Sequence, residues 1–299
     1  MRRPLSSLNP VLFILIARTR CAIRCLQWWF GGKKYAKTVL SEKLPFSVFK
    51  DKAVLIRKQS NSEINLLKLQ QNRIINVKLA LEKFTNIIIR PGETFSYFYL
   101  VGRASKRKGY VGGTLLANGK LVESVGGGTC FITNLLHWLC LNSPLTVTER
   151  HPHSANLYPD EAGSAPFGSD ATILYNYKDY QFINNTPYTF QLVFWHGPQY
   201  LYGDLRVSEK LPYTYQVWEK NHLLFKKDEH YYRTNELWRT KISGTDGEDI
   251  LKREFLQQNF SRVKYIPENY ILYENMSAAD REIVDNILQV YQDYPRKVR

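Results

Sequence analysis

The stretch that most constrains this chain runs from Gly113 to Leu141. Asn118-Gly119 separates two strand-like segments, 113–117 and 120–125. A type I′ turn needs positive φ at both central positions, which Asn and Gly adopt readily, so the spacing predicts an antiparallel hairpin. Its second arm runs into Gly126-Gly127-Gly128-Thr129-Cys130, after which residues 131–141 are apolar at nearly every position. That pattern predicts a flexible loop entering a buried helix. A chain that must hold both a hairpin and such a helix is mixed in class.

Composition points the same way. Twenty Tyr, fifteen Phe and six Trp in 299 residues favour sheet over a helical bundle, and 44% hydrophobic content excludes wholesale disorder. Residues 11–30 predict an amphipathic helix: Leu12, Leu15, Ile16, Ile23, Leu26 and Trp29-Phe30 recur at three- and four-residue steps, with Arg20, Arg24 and Gln27 on another face. Gly31-Gly32 ends it. A helix is expected over 72–85 and strands over 94–101, 171–177, 180–182, 188–194 and 200–207. More strands follow through 211–265 with a turn at 244–247, and a last helix starts near Ser277, where Ser277 and Asp280 resemble a capping box. The expected fold is α+β: a β-rich core with a buried helix after a Gly-rich loop, flanked by a basic amphipathic N-terminal helix and a C-terminal helix. Three regions follow: 1–89 basic and helical, 90–207 the central domain, and 208–299 a β-rich extension ending in a helix.

Charge is uneven. Residues 1–60 hold thirteen Lys and Arg against Glu42 and Asp51, so the basic character reads as an appendage suited to a phosphate-bearing surface. The apolar run at 10–17 follows Arg2-Arg3 but meets Arg18, Arg20 and Arg24 without a small-residue cleavage site, and it is too short to span a bilayer. Four cysteines in this length cannot form a disulfide framework. Cys21, Cys25 and Cys140 fit apolar packing, and His137 fits a hydrogen-bonded core position.

Cys130 differs because a thiol at a helix N-terminus feels the positive end of the dipole, which favours thiolate. Downstream, Glu149-Arg150-His151-Pro152-His153-Ser154 and Asp170 supply a base and its orienter. Cys130/His153/Asp170 is therefore a candidate triad, with His151 as substitute base. The backbone of Gly126, Gly127, Gly128 and Thr129 can approach a substrate oxygen without a Cβ in the way. Imidazoles at 151 and 153 share a strand face, a geometry that suits a metal, but no third ligand accompanies them, and neither metal nor cofactor is expected.

Collinear motifs add to this. Arg90-Pro91-Gly92-Glu93-Thr94-Phe95-Ser96, Val101-Gly102-Arg103, Lys108-Gly109-Tyr110, Asn118-Gly119-Lys120, Gly126 to Cys130, Glu149 to Ser154, Asp170-Ala171-Thr172 and Asn184-Asn185-Thr186 together resemble the VanW-like family of vancomycin-resistance accessory proteins. The resemblance implies the cell envelope, and for some members a cysteine-dependent L,D-transpeptidase chemistry on peptidoglycan stem peptides. Under it Cys130 attacks the acyl carbonyl and D-alanine leaves, His153 handles the proton, Asp170 orients the imidazole, and Arg150 and Ser154 sit where substrate binds. The family's glutamine after the cysteine is Phe131 here, which removes an amide donor and keeps a second reading alongside, a non-catalytic binder of cell-wall precursors or envelope partners. Expected partners are peptidoglycan peptides or lipid-linked precursors, with an anionic membrane surface meeting residues 1–32. Nucleic acid is the least favoured partner, since no reading motif is present. The expected location is the cytoplasm, peripheral at the inner face of the membrane, with an extracytoplasmic location left open.

Overall fold

A computed structural model describes residues 10–56, 64–117, 120–153, 155–157, 159, 165–244 and 249–297. The Asn118-Gly119 turn, Ser154 and positions 245–247 lie outside them.

The architecture is α+β and β-rich. Helix α1 (Pro10–Phe30) leads to strand β1 (Phe46–Val54), helix α2 (Ile64–Leu81), and the short strands β2 (Ile87–Ile89) and β3 (Thr94–Ser96). One helical turn, α3 (Tyr97–Val101), precedes the hairpin β4 (Gly112–Ala117) and β5 (Lys120–Val125), paired in the register expected of a two-residue connection. Helix α4 (Cys130–Leu141) follows directly, then β6 (Thr146–Glu149), β7 (Gln181–Ile183), β8 (Phe190–His196) and β9 (Tyr200–Val207). Three long strands, β10 (Tyr213–Lys227), β11 (His230–Ser243) and β12 (Asp249–Val263), then β13 (Ile271–Leu272) and helix α5 (Ala278–Lys297) complete the order.

One four-stranded sheet has the order β1-β9-β8-β2 and a second has β12-β11-β10-β13, with β3-β7-β6 as a smaller third. The main core joins the first and third of these sheets to α2 and α4 through Phe84, Phe95, Phe182, Phe190, Leu136 and Leu205, all fully buried. Edge-to-face and stacked rings, Phe84 on Phe95 at 5.6 Å and Phe95 on Phe182 at 4.9 Å, give the aromatic surplus its place. A smaller cluster of Leu223, Phe225, Met276 and Val284 seats α5 on the long-stranded sheet.

Several sequence expectations are corrected. Residues 97–101 are helix, not strand, because the Ser96 hydroxyl accepts from Tyr99 N at 3.2 Å and caps a turn that Gly102 ends at φ 68°. The expected strand over 171–177 is absent. Its first residue is instead bound by side chains of α4, Ala171 N donating to Asn134 Oδ1 at 2.9 Å and Ala171 O accepting from Thr133 Oγ1 at 2.6 Å, while Thr172 N donates to His151 O at 2.8 Å and Leu174 N to Lys178 O at 2.9 Å across a turn. Helix α2 spans Ile64–Leu81 rather than 72–85. At the other end, Ser277 caps α5 as expected, accepting from Asp280 N at 3.1 Å.

Candidate functional site

Cys130 is the first residue of α4, whose N-terminus carries no side-chain cap; the Thr129 hydroxyl instead donates back to Gly126 O at 3.1 Å. Phe131 N and Ile132 N donate to Gly128 O and Thr129 O at 3.3 and 3.0 Å, so what the end offers the sulfur is the positive end of the helix dipole. The loop's glycines are fixed by the fold itself. A Cβ on Gly126 would meet Ala104 at 2.4 Å, one on Gly127 the Gly113 backbone at 2.3 Å, and one on Gly128, at φ 89°, the stem of Arg73 at 2.6 Å. Asn76 of α2 clamps this crossing, donating to Gly127 O at 2.9 Å and to Val111 O at 3.0 Å. The triplet therefore lets α2, the hairpin and the start of α4 touch.

The structure brings Cys130, His153 and Asp170 together. His153 donates through its backbone N to Asp170 Oδ2 at 3.1 Å and pairs with the same oxygen through ring Nδ1, which leaves Nε2 to the sulfur. Burial pushes the Cys130 thiol up, yet the hydrogen bond and charge of His153, helped by Ile173 N–H and the Thr172 hydroxyl, outweigh it and hold the thiol below its ordinary value. Burial lowers His153, but Asp170 and the cysteine prevail and raise the imidazole well above its usual range. Burial likewise pushes Asp170 up, and the charges of His153 and Arg150 reverse it and hold the carboxyl far below the usual range. All three shifts run in the direction that favours a thiolate–imidazolium pair backed by a carboxylate. By contrast, burial carries Cys140 up to about 12 and His137 down to about 3.

His151 is not brought to the sulfur. Its Nε2 lies 3.1 Å from Glu149 Oε1, and it is missing from the residues that line the cleft. Thus the two histidines turn to different carboxylates. Arg150 borders the cleft, but its Nε donates to Asp170 O at 2.8 Å and its Nη2 to Gly168 O at 2.7 Å and Asp170 Oδ1 at 3.1 Å. Its fork holds the loop that carries Asp170.

The sulfur opens on a cleft of about 790 Å³. Trp138 and Asn134 of α4, Arg73 of α2, Asp51 of β1, and Gln258 and Ser261 of β12 line it. Sequence reasoning missed Asn134. It stands one helical turn after Cys130, and its Oδ1 is committed to Ala171 N–H, so its amide nitrogen is the half left to donate. Its spacing of four from Cys130 was the signal for it. Also missed was Arg73, whose guanidinium covers the Phe131 ring at 4.0 Å. The β-rich extension shapes the site as well, because Gln257 donates to Gly168 O at 2.7 Å and Asn235 to Phe167 O at 2.9 Å.

Nor is the basic N-terminal stretch apart from this region, as its placement in the sequence suggests. Arg24 of α1 forms a two-pronged bond to Glu149, at 2.6 and 2.8 Å, and donates to Asn176 O at 3.1 Å. Cys21 donates to Tyr175 O at 3.3 Å, and Trp28 meets Tyr99 edge-on at 5.7 Å. The arginine-bearing face is thus the packed one.

Comparison with known proteins is consistent with these motifs. Residues 72–206 match the family model described as VanW like protein. The chain is 29% identical over 246 residues to the vancomycin B-type resistance protein VanW of Enterococcus faecalis, covering 82% of this chain and 88% of that one. It is 30% identical over 114 residues to the uncharacterized protein YoaR of Bacillus subtilis, 38% of this chain and 36% of the relative. No solved structure matches.

Proposed function

We propose that this chain, a VanW-like protein over residues 72–206, serves glycopeptide resistance as its Enterococcus faecalis relative is named for doing, by cysteine-dependent acyl transfer on cell-wall peptides. The observation that carries the reading is the Cys130 sulfur at an uncapped helix end, paired with an imidazole whose other nitrogen is held by Asp170. In the first step the Cys130 thiolate attacks a peptide carbonyl carbon and forms the S–C bond. The tetrahedral oxyanion accepts from Cys130 N–H and the Asn134 amide, which supplies the donor that Phe131 lacks. When the C–N bond breaks, the His153 imidazolium gives its proton to the leaving amine, D-alanine in a stem peptide, and a thioester remains. An acceptor amine or water then attacks the thioester; His153 takes the proton of that nucleophile, the S–C bond breaks, and the thiolate–imidazolium pair returns.

Mass spectrometry of the protein incubated with a stem peptide ending in D-alanine tests this. The expected result is a mass adduct on Cys130, or a trimmed or joined peptide, lost in Cys130→Ala. Peptide left unmodified by wild type, with no adduct, removes the acyl-transfer reading. The second reading, a non-catalytic binder of such peptides, is favoured by Phe131 lying under Arg73. Saturable binding that is equal in wild type and Cys130→Ala, without turnover, identifies it.

A further inference from the structure

Helix α1 is amphipathic in the sense opposite to a helix of a soluble protein. The face carrying Cys21, Arg24, Cys25 and Trp28 packs on the domain through residues 175–176, Glu149 and Tyr99. On the other face Leu12, Leu15, Ile23, Leu26 and Phe30 lie within one stripe, at 39%, 60%, 48%, 57% and 84% exposure, with Trp29 beside it at 82%. At 100° per residue the stripe is centred opposite the packed side chains. A contiguous apolar face of this kind marks a surface that meets something. Charge says what. Exposed Arg18 flanks the stripe, exposed Lys34 and Lys37 follow the helix while Lys33 donates to Gln181 Oε1 at 3.1 Å, and the sequence has no Asp or Glu before Glu42. No helix among the described residues is long and apolar enough to cross a membrane.

We infer that α1 is an interfacial helix that lays its Leu/Ile/Trp/Phe face into the surface of a bilayer containing anionic lipid, with Arg18, Lys34 and Lys37 meeting the headgroups. The half-buried Arg24–Glu149 bond anchors the helix to the domain, so the bilayer holds the whole molecule rather than a loose tail. That bond also ties the membrane contact to β6, the strand that leads into His153. The occupant is a lipid surface, because a second copy of the chain would set these cations against each other.

Flotation of the full chain with phosphatidylglycerol/phosphatidylcholine vesicles tests the inference, with phosphatidylcholine-only vesicles and light scattering alongside. Wild type is expected to float with the anionic vesicles and to lose most of that binding on the neutral ones. Leu15→Ser with Leu26→Ser removes apolar burial and is expected to weaken partition by about tenfold or more. Arg18→Gln with Lys34→Gln is expected to cost about fivefold per charge removed. These positions are exposed, and an unchanged circular dichroism spectrum and Cys130 alkylation rate show that each variant is folded. Cys130→Ala is expected to float like wild type, which separates the lipid contact from the chemistry at the sulfur. Anionic vesicles that leave wild type unbound, variants that float as wild type does, or a dimer in light scattering that the leucine pair dissolves would each overturn it.

Discussion

Under the acyl-transfer proposal, Asn134 takes over at a different position the role of a donor that Phe131 cannot supply. The glutamine expected after Cys130 is Phe131, which cannot donate, but a helix returns to the same face four residues on, and under the acyl-transfer proposal Asn134, which lines the cleft, supplies the amide there. Because Ala171 N–H fixes Oδ1, the orientation of that amide follows from the hydrogen bond itself. Asn134→Ala is therefore expected to lower the rate of acyl-enzyme formation on the order of 10²-fold, the loss usual for one oxyanion donor. Alkylation of Cys130 by iodoacetamide should keep its rate, since the thiolate depends on His153 and not on Asn134. Alkylation slowed in parallel would assign Asn134 to holding the 170–173 segment alone.

Among the elements, α1 and β6 meet through a charge pair whose strength depends on pH. Burial pushes Glu149 up, but His151, Arg24 and Asp179 N–H bring its carboxyl down to about 2 from an ordinary 4.5. A carboxyl depressed in the folded state contributes stability that is fully present above its unfolded value and fades as pH falls through the folded one. Arg24→Ala should then cost about 1–2 kcal/mol at pH 7, discounted because the two side chains remain 17% and 21% exposed. The gap to wild type should narrow as pH drops from 4.5 toward 2. Urea melts at pH 7 and pH 3 check this, and a gap of equal size at both would mean that Arg24 acts through packing instead. The same helix shows why periodicity alone leaves an element's orientation open. A 3.6-residue pattern defines two faces, and the presence of Glu149 and a loop of carbonyl oxygens on the domain decided that the arginine face goes inward.

On the scale of the whole molecule, the cleft is assembled from segments far apart in sequence: β1, α2, α4, the 150–170 loops and β12. Residues 208–299 fall after the family-matched segment, yet Gln257 and Asn235 hold Phe167 and Gly168, and Gly168 in turn receives Arg150. A chain ending at Val207 is expected to loosen Asp170 and raise the pH midpoint of Cys130 alkylation toward the ordinary thiol value of 9.0. A midpoint that stays where it is in the full chain would show that the extension does not support the site. By itself the sequence determined what nearest neighbours decide: the β4–β5 hairpin, the buried helix α4 behind three glycines, strand β9, the Ser277 cap, and the short set of residues with chemistry. Long-range packing settled which histidine faces the sulfur, that Ala171 is bound to α4 while 174–178 forms a turn, which face of α1 is buried, and that β12 walls the cleft. The physical reason is that turn and cap preferences are local, whereas His153 and His151 differ only in which carboxylate the folded chain carries to each of them.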